Sequence, residues 1–250
     1  MKDVKQVVQT TYTAVLEQGK DCGCSTDCCF EPDLEGYKDL AGYAESADYQ
    51  LGCGIPVAFD AIQPGMVVLD LGSGAGNDVF IARQQAGPTG EVIGLDFTPA
   101  MVEKAEANRQ KLGYDNVRFV LGEIESIPLP ARSIDVVISN CVLNLVPDKQ
   151  RAFAEIRRVL KSNGQFVISD VVSAQALPEA VQQDEALYGG CIGGAIPMQD
   201  YLALIQASGF DSVEVLEQRA FQITAGGESH TMHSITVKGG NAPCCGPGCC

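Results

Sequence analysis

Residues Met66–Leu71 form a short apolar run that passes directly into a glycine-rich turn, Gly72-Ser-Gly74-Ala-Gly76, and then into Asn77 and Asp78 at the head of a helical pattern. A strand, a tight turn and a helix in that order constrain this chain more than any other feature. Such a unit belongs to a βαβ arrangement, with the turn at the carboxyl edge of a parallel sheet, where ligands bind. The glycines let the backbone turn sharply and pass close to a ligand. Asp96 follows Gly76 by 20 residues, at the end of the next apolar run, where an acid accepts ribose hydroxyls. The spacing is G-x-G-x-G rather than the dinucleotide G-x-G-x-x-G, and Asp70 stands just before the turn. A carboxylate there opposes a pyrophosphate and favours a ligand whose near end carries an ammonium and a sulfonium.

Alternation continues on both sides of this unit. Strands are expected at Met66–Leu71, Glu91–Leu95, Val117–Leu121, Ile134–Ser139 and Gln165–Val172. Helices are expected at Asp78–Gln85, from Pro99 to Gly113 with Thr98 as cap, and at Asp148–Leu160, ended near Asn163-Gly164. A long stretch, about 173–196, ends in the glycine-rich YGGCIGGA. A helix at Pro197–Ser208 and strands at Val213–Leu216 and Ser234–Val237 close the pattern. The result is a doubly wound α/β fold with a mostly parallel sheet and helices on both faces. Upstream, Val4, Val7, Val8, Thr11, Tyr12, Val15 and Leu16 fall at helical spacing. The expected organisation is an N-terminal helix with a Cys-rich cap segment (1–59), a ligand-binding domain (60–238, with the insertion at about 173–196) and a Cys-rich tail (239–250).

Composition narrows the partners. A net charge of −15 argues against a protein that holds phosphate backbones, so no nucleic acid partner is expected. The first residues hold no apolar run of signal-peptide length and no later stretch reaches membrane-spanning length, so no membrane and a cytoplasmic location are expected. In a reducing compartment the 11 cysteines point to thiolate chemistry or soft-ion binding rather than a disulfide scaffold.

With VVLDLGSGAGND and Asp96 in place, the chain resembles the class I methyltransferases that use S-adenosylmethionine (SAM), over about residues 60–238. The resemblance implies a Rossmann-like, seven-stranded sheet with its last strand antiparallel. It implies that Asp70, Gly72, Ser73, Gly74 and Gly76 line the methionine end of SAM. Asp96 would bind ribose, and Phe97 and Met101 would pack near the adenosine. Gly122, Glu123 and Ile124 would lie beside the adenine, and Asn140, Cys141 and Val142 next to the transferable methyl.

Three cysteines sit outside the Cys-rich ends: Cys53 in QLGCGIP, Cys141 in SNCVLNLVPDK and Cys191 in YGGCIGGA. Each could be an ordinary buried apolar thiol, but Cys141 follows the fourth strand at the ligand-binding edge. Glycines flank Cys53 and Cys191. LGCG, DLGSGAGND, SNCVLNLVPDK and YGGCIGGA in this order resemble the arsenite methyltransferases over nearly the whole chain. That resemblance implies Cys53, Cys141 and Cys191 as three thiolates that bind trivalent arsenic, with arsenite and methylarsenite as substrates and arsenic detoxification as the role. Soft thiolates select soft acceptors, and transfer to an arsenic lone pair needs alignment rather than a base. His230 and His233 accordingly lie outside every motif. The thiols are expected to lose protons to bind, helped by glycine-rich backbone or a helix N-terminus.

The resemblance further implies an N-terminal thiol, Cys22 or Cys24, that forms a disulfide with Cys53 during turnover and is reset by a glutathione- or thioredoxin-type reductant. A zinc site is the competing reading of Cys22, Cys24, Cys28 and Cys29. The segment Tyr43 to Cys53 is shorter than the family pattern. The vicinal pairs of the tail, CCGPGCC, suit soft-ion capture. Two alternatives for the whole chain are a SAM-dependent methyltransferase of another small molecule and a thiol-based metalloid-binding protein.

Overall fold

The computed structural model describes residues 3–18 and 36–241. Strands β1 (Val67–Leu71), β2 (Glu91–Asp96), β3 (Val117–Leu121), β4 (Ile134–Asn140), β5 (Leu160–Ser173), β6 (Ser212–Ala225) and β7 (Glu228–Gly240) form one seven-stranded sheet in the order β3-β2-β1-β4-β5-β7-β6. β1 to β5 run parallel, and β7 pairs antiparallel with both β5 and β6. The sequence order reverses between β1 and β4. Ligands of open α/β sheets bind at this switch point, outside the carboxyl ends of the strands.

Helices α1 (Val4–Gln18), α2 (Asn77–Ala86), α3 (Pro99–Leu112), α4 (Lys149–Val159), α5 (Glu179–Gln182), α6 (Glu185–Gly189) and α7 (Met198–Ala207) flank the sheet. The central strands read as unbroken apolar runs because both their faces are covered. Val68, Val92, Val136 and Ile138 pack with the buried side of α2. Leu69, Leu71 and Val137, one step along, face the layer that holds Phe153 of α4 and Tyr201 of α7. A third apolar cluster lies at the carboxyl edge, where Val8 of α1 meets Leu145, Val171, Met232 and the three isolated cysteines.

Several boundaries differ from the sequence expectation. Thr98 makes no side-chain capping bond; its N–H instead donates to Asp96 Oδ1 at 2.8 Å, and Pro99 starts α3. Asp148 does cap α4, accepting from the Arg151 N–H at 2.9 Å. α4 stops at Val159, and Leu160 already pairs with Ile134, so β5 begins five residues before Gln165 through an irregular register. The last two strands are 14 and 13 residues long rather than short closing segments. They form a hairpin turning on Gly226 and Gly227, whose φ values of 61° and 82° fit the two-residue turn that matches strand twist. Residues 212–220 of β6 are exposed or half-buried with no clean alternation, and only toward the tip do Phe221, Ile223 and Ala225 alternate inward.

Candidate active site

A deep cleft opens at the carboxyl ends of β1, β2 and β4, and three of the acids that line it are buried. Asp70 ends near the glycine turn, Asp78 lies in the first turn of α2, and Asp96 ends β2; each is at most 8% exposed. Burial pushes the Asp70 carboxyl well up, reinforced by the charges of Asp78 and Asp96. Burial also raises Asp78 and Asp96, against hydrogen bonds that favour their ionised forms. Asp78 accepts from the Tyr37 hydroxyl at 2.7 Å and from Asn140 Nδ2 at 3.1 Å. Asp96 accepts from the Gly74 and Thr98 N–H groups at 2.9 and 2.8 Å. None of the three forms an ion pair among the described residues, and Lys5, which also lines the cleft, is paired with Glu123 and Glu125 at 2.8 and 3.2 Å. Acids held together without a cation are costly. A cationic ligand would relieve that cost.

The turn glycines divide their work. A Cβ on Gly74 would meet only Met101 Sδ, at 3.9 Å, so this backbone faces open cleft. A Cβ on Gly76, where φ is 101°, would collide with Phe119 and Phe80. Gly76 is not among the residues that line the cleft, and its lack of a side chain is what lets those rings pack against the turn. The Ser73 hydroxyl is buried, points to no partner among the described residues, and belongs to the cleft lining.

Cys141 lines this cleft and also a second, smaller cavity, which it shares with Cys53, Cys191, Tyr12 and Gly52. All three cysteines are free and 5–7% exposed. They come from the segment before β1, the end of β4 and the insertion after β5. Cys141 and Cys191 adopt left-handed backbone, with φ of 60° and 65°. Such conformations cost of order 1–3 kcal/mol in non-glycine residues and persist where surrounding contacts enforce them. Asn140 fixes the first loop: its Oδ1 accepts from the Cys53 and Gly54 N–H groups at 3.0 and 3.3 Å, and its Nδ2 donates to the Gly54 carbonyl at 2.9 Å. Cys191 Sγ donates to the Cys141 carbonyl at 3.3 Å and lies 3.5 Å from the Tyr12 hydroxyl.

The Cys141 thiol neighbours those of both Cys191 and Cys53. Among the described residues no group of three His, Cys, Asp or Glu has metal-holding geometry. The expectation that glycine backbone would favour thiolates is overturned. Burial raises Cys53, and the hydrogen bond with Cys141 together with burial raises Cys191 well above the usual thiol range. For Cys141 the bond with Cys191 pulls down, but the bond with Cys53, burial and nearby charge outweigh it. Among the described residues no positive charge is set against these thiols to reverse the effect of burial.

The methyltransferase domain family matches residues 62–228. An arsenite methyltransferase of Halobacterium salinarum is 43% identical over 230 residues, covering 86% of this chain and 59% of the relative. The human arsenite methyltransferase is 36% identical, covering 83% of this chain and 58% of its own length. An arsenic(III) S-adenosylmethionine methyltransferase structure from Chlamydomonas reinhardtii superposes with a TM-score of 0.69 at 33% identity, over 95% of this chain and 74% of that one. The chain belongs to the arsenite methyltransferase family. It spans 58–65% of the length of the first curated relatives it matches.

In this family member, Asp70, Gly72, Ser73, Gly74, Asp96, Phe97, Met101, Gly122, Glu123, Ile124, Asn140, Cys141 and Val142 do line one cleft. Cys53 and Cys191 meet Cys141 in the adjoining cavity. Cys22, Cys24, Cys28 and Cys29 and the CCGPGCC tail lie outside the described residues. Sequence reasoning missed Tyr37, Asp78 and Tyr12. Asp78 follows the glycine turn by two residues and carried a readable signal as an acid in the first turn of α2. Tyr37 and Tyr12 reach the cleft only through tertiary packing. Neither histidine lines either cavity; His233 pairs with Gln218 and His230 with the Ala225 carbonyl on the hairpin. Among the described residues no helix is long and apolar enough to cross a membrane.

Proposed function

We propose that this chain transfers methyl groups from SAM to trivalent arsenic held by Cys53, Cys141 and Cys191. The observation that carries this reading is the pair of adjoining cavities, one acidic and one lined by three free cysteines, with Cys141 in both. The donor fits the first cavity: three uncompensated carboxylates suit its ammonium and sulfonium, the unpartnered Ser73 hydroxyl offers a hydrogen bond, and Gly74 leaves room for close approach. Asp70 would hold the cationic end and Asp96 the ribose, with Phe97, Met101 and Ile124 against the adenosine. When bound, SAM supplies an electrophilic methyl on a positively charged sulfur.

The acceptor side can start from neutral thiols, the state that burial favours. Condensation of arsenous acid with three thiols forms three As–S bonds and releases three waters, with no net change of charge. Each thiol proton therefore leaves in water and no general base is required. Closing the three sulfurs around one arsenic requires them to turn toward a common point. The thiolates then hold the arsenic with its lone pair free, and Cys141 places it beside the donor cleft, where proximity does the rest. A disulfide step involving Cys22 or Cys24 and Cys53, reset by a thiol reductant, and a role in arsenic detoxification belong to the same reading. The test is incubation with SAM, arsenite and a thiol, followed by speciation of the arsenic products. Methylated arsenicals are expected, and their absence in a chain that binds SAM would sink the proposal.

A further inference from the structure

Behind the thiols lies a buried polar cluster that the methyl-transfer chemistry does not use. Asn144 sits in the helical turn Leu143–Leu145 after β4 and is 1% exposed. It is held at two points, beside Asp170, a fully buried acid of β5 that accepts from the Tyr201 hydroxyl at 3.0 Å. Its carbonyl accepts from Lys149 Nζ at 2.8 Å, and the same ammonium bonds the Val146 carbonyl at 3.0 Å. Its side-chain Nδ2 donates to the Cys191 carbonyl at 2.7 Å, across to the insertion. A Cβ on Gly194 would strike the Asn144 carbonyl oxygen, so the two loops approach closely only because that residue is glycine.

We propose that Asn144 is a positioning residue for the acceptor site, setting the Cys191 thiol against Cys141 by tying together the two loops that carry them. The proposal rests on the reading of those cysteines as arsenic ligands. The Cys141 loop is anchored to the sheet through the Cys141 N–H, which donates to the Ser169 carbonyl at 2.7 Å. The Cys191 loop has no strand of its own. Its left-handed cysteine is held by the bond from Asn144 and by the Tyr188 hydroxyl, which donates to the Leu145 carbonyl at 3.0 Å. Asn144 Oδ1 has no partner among the described residues, so the amide contributes through its single donor bond. Removing that donor frees the Cys191 backbone without touching either sulfur.

The test uses the full chain carrying Asn144→Asp, which keeps the shape and loses the donor, and separately Gly194→Ala, which pushes the loops apart by sterics alone. Arsenite and SAM affinities are measured by calorimetry, and iodoacetamide labelling of each cysteine is followed by mass spectrometry. Arsenite binding should weaken about tenfold or more, in the range seen for lost supporting contacts around ligands, while SAM affinity stays within about twofold. Cys191 should label faster in both variants, with Cys53 unchanged. A uniform rise at all three cysteines would mean general loosening and overturn the proposal, as would unchanged labelling of Cys191. A wild-type chain that binds SAM but not arsenite would instead overturn the acceptor reading, and the labelling pattern would still judge Asn144.

Discussion

The donor and acceptor halves of the site are built in opposite ways. The charged and glycine core of the donor half comes from consecutive residues: β1, its turn and α2 supply Asp70, Ser73, Gly74 and Asp78 within one continuous stretch, and Asp96 follows on the next strand. The acceptor half is assembled from three segments far apart in the chain, each with its own loop, and two of its cysteines sit in left-handed backbone. Local geometry makes the first half, and long-range hydrogen bonds hold the second. The two are joined at few points, among them Asn140, which ties the Cys53 loop to Asp78.

Loss of one sulfur should break the comparison most completely. Changing Cys191 to Ser removes a proposed ligand but leaves the cleft lining intact. Arsenite methylation should fall by more than ~100-fold, beyond what loss of an outer-shell contact costs, with SAM affinity unchanged. Rates measured beside SAM calorimetry check this, and full activity in the variant would remove the three-thiol model.

On the donor side the matching experiment is Asp70→Asn. It keeps size and polarity and deletes the charge facing the ligand's cationic end. Hydrogen bonds to charged groups are worth roughly 1.5–3 kcal/mol, so SAM affinity should fall ~10–100-fold. Arsenite binding should hold, because no described bond links Asp70 to the cysteines. Parallel loss of both affinities would mean that the halves are less separate than their construction implies.

The same contrast explains what could be read in advance. Strands β1 to β4 and helices α2 and α3 were legible because consecutive residues carry their periodicity, turn and caps. The G-x-G-x-G spacing and Asp96 then located the donor cleft. Composition and order also flagged Cys53, Cys141 and Cys191, through glycine neighbours and the motifs around them. Their contact was not legible, since it depends on Asn140, Asn144 and Ser234 bonding across the fold, the last donating to the Cys53 carbonyl at 2.6 Å. Nor was the state of the thiols: glycine neighbours pointed to thiolates, but burial among Val171, Ile192 and Met232 wins. The hairpin of β6 and β7 was misjudged because residues 212–220 of β6 are exposed or half-buried, although Gly226-Gly227 marked the turn.

Within the donor turn, Gly74 and Gly76 offer a finer division. Gly76→Ala forces a methyl into Phe80 and Phe119 from left-handed backbone, and overpacking of this kind costs about 1–3 kcal/mol. Gly74→Ala meets almost nothing in the fold, so its cost is the backbone strain of roughly 1–2 kcal/mol. Urea midpoints should therefore fall further for Gly76→Ala. SAM affinity, corrected for folded fraction, should suffer more in Gly74→Ala, whose added methyl projects into the cleft. Reversal of that order would place the ligand on the other side of the turn.

The smallest expected effects are in pH dependence, and they separate the halves by sign. Asp70 is raised in the folded protein, so the stability linked to its protonated form is complete below its unfolded value and is lost as pH rises through the folded value. A bound cation favours the ionised form. SAM affinity should accordingly weaken on acidification at a pH above the ordinary carboxylate range, and Asp70→Asn should flatten that part of the profile. The thiols are raised as well, and for them the protonated state is the native one. Their contribution to stability is complete below the unfolded thiol value and is lost as pH rises toward the folded values. Labelling of Cys53, Cys141 and Cys191 should keep climbing beyond the pH at which a free cysteine levels off. A plateau at the ordinary thiol range would show that water reaches the acceptor cavity freely and that burial does not hold these sulfurs neutral.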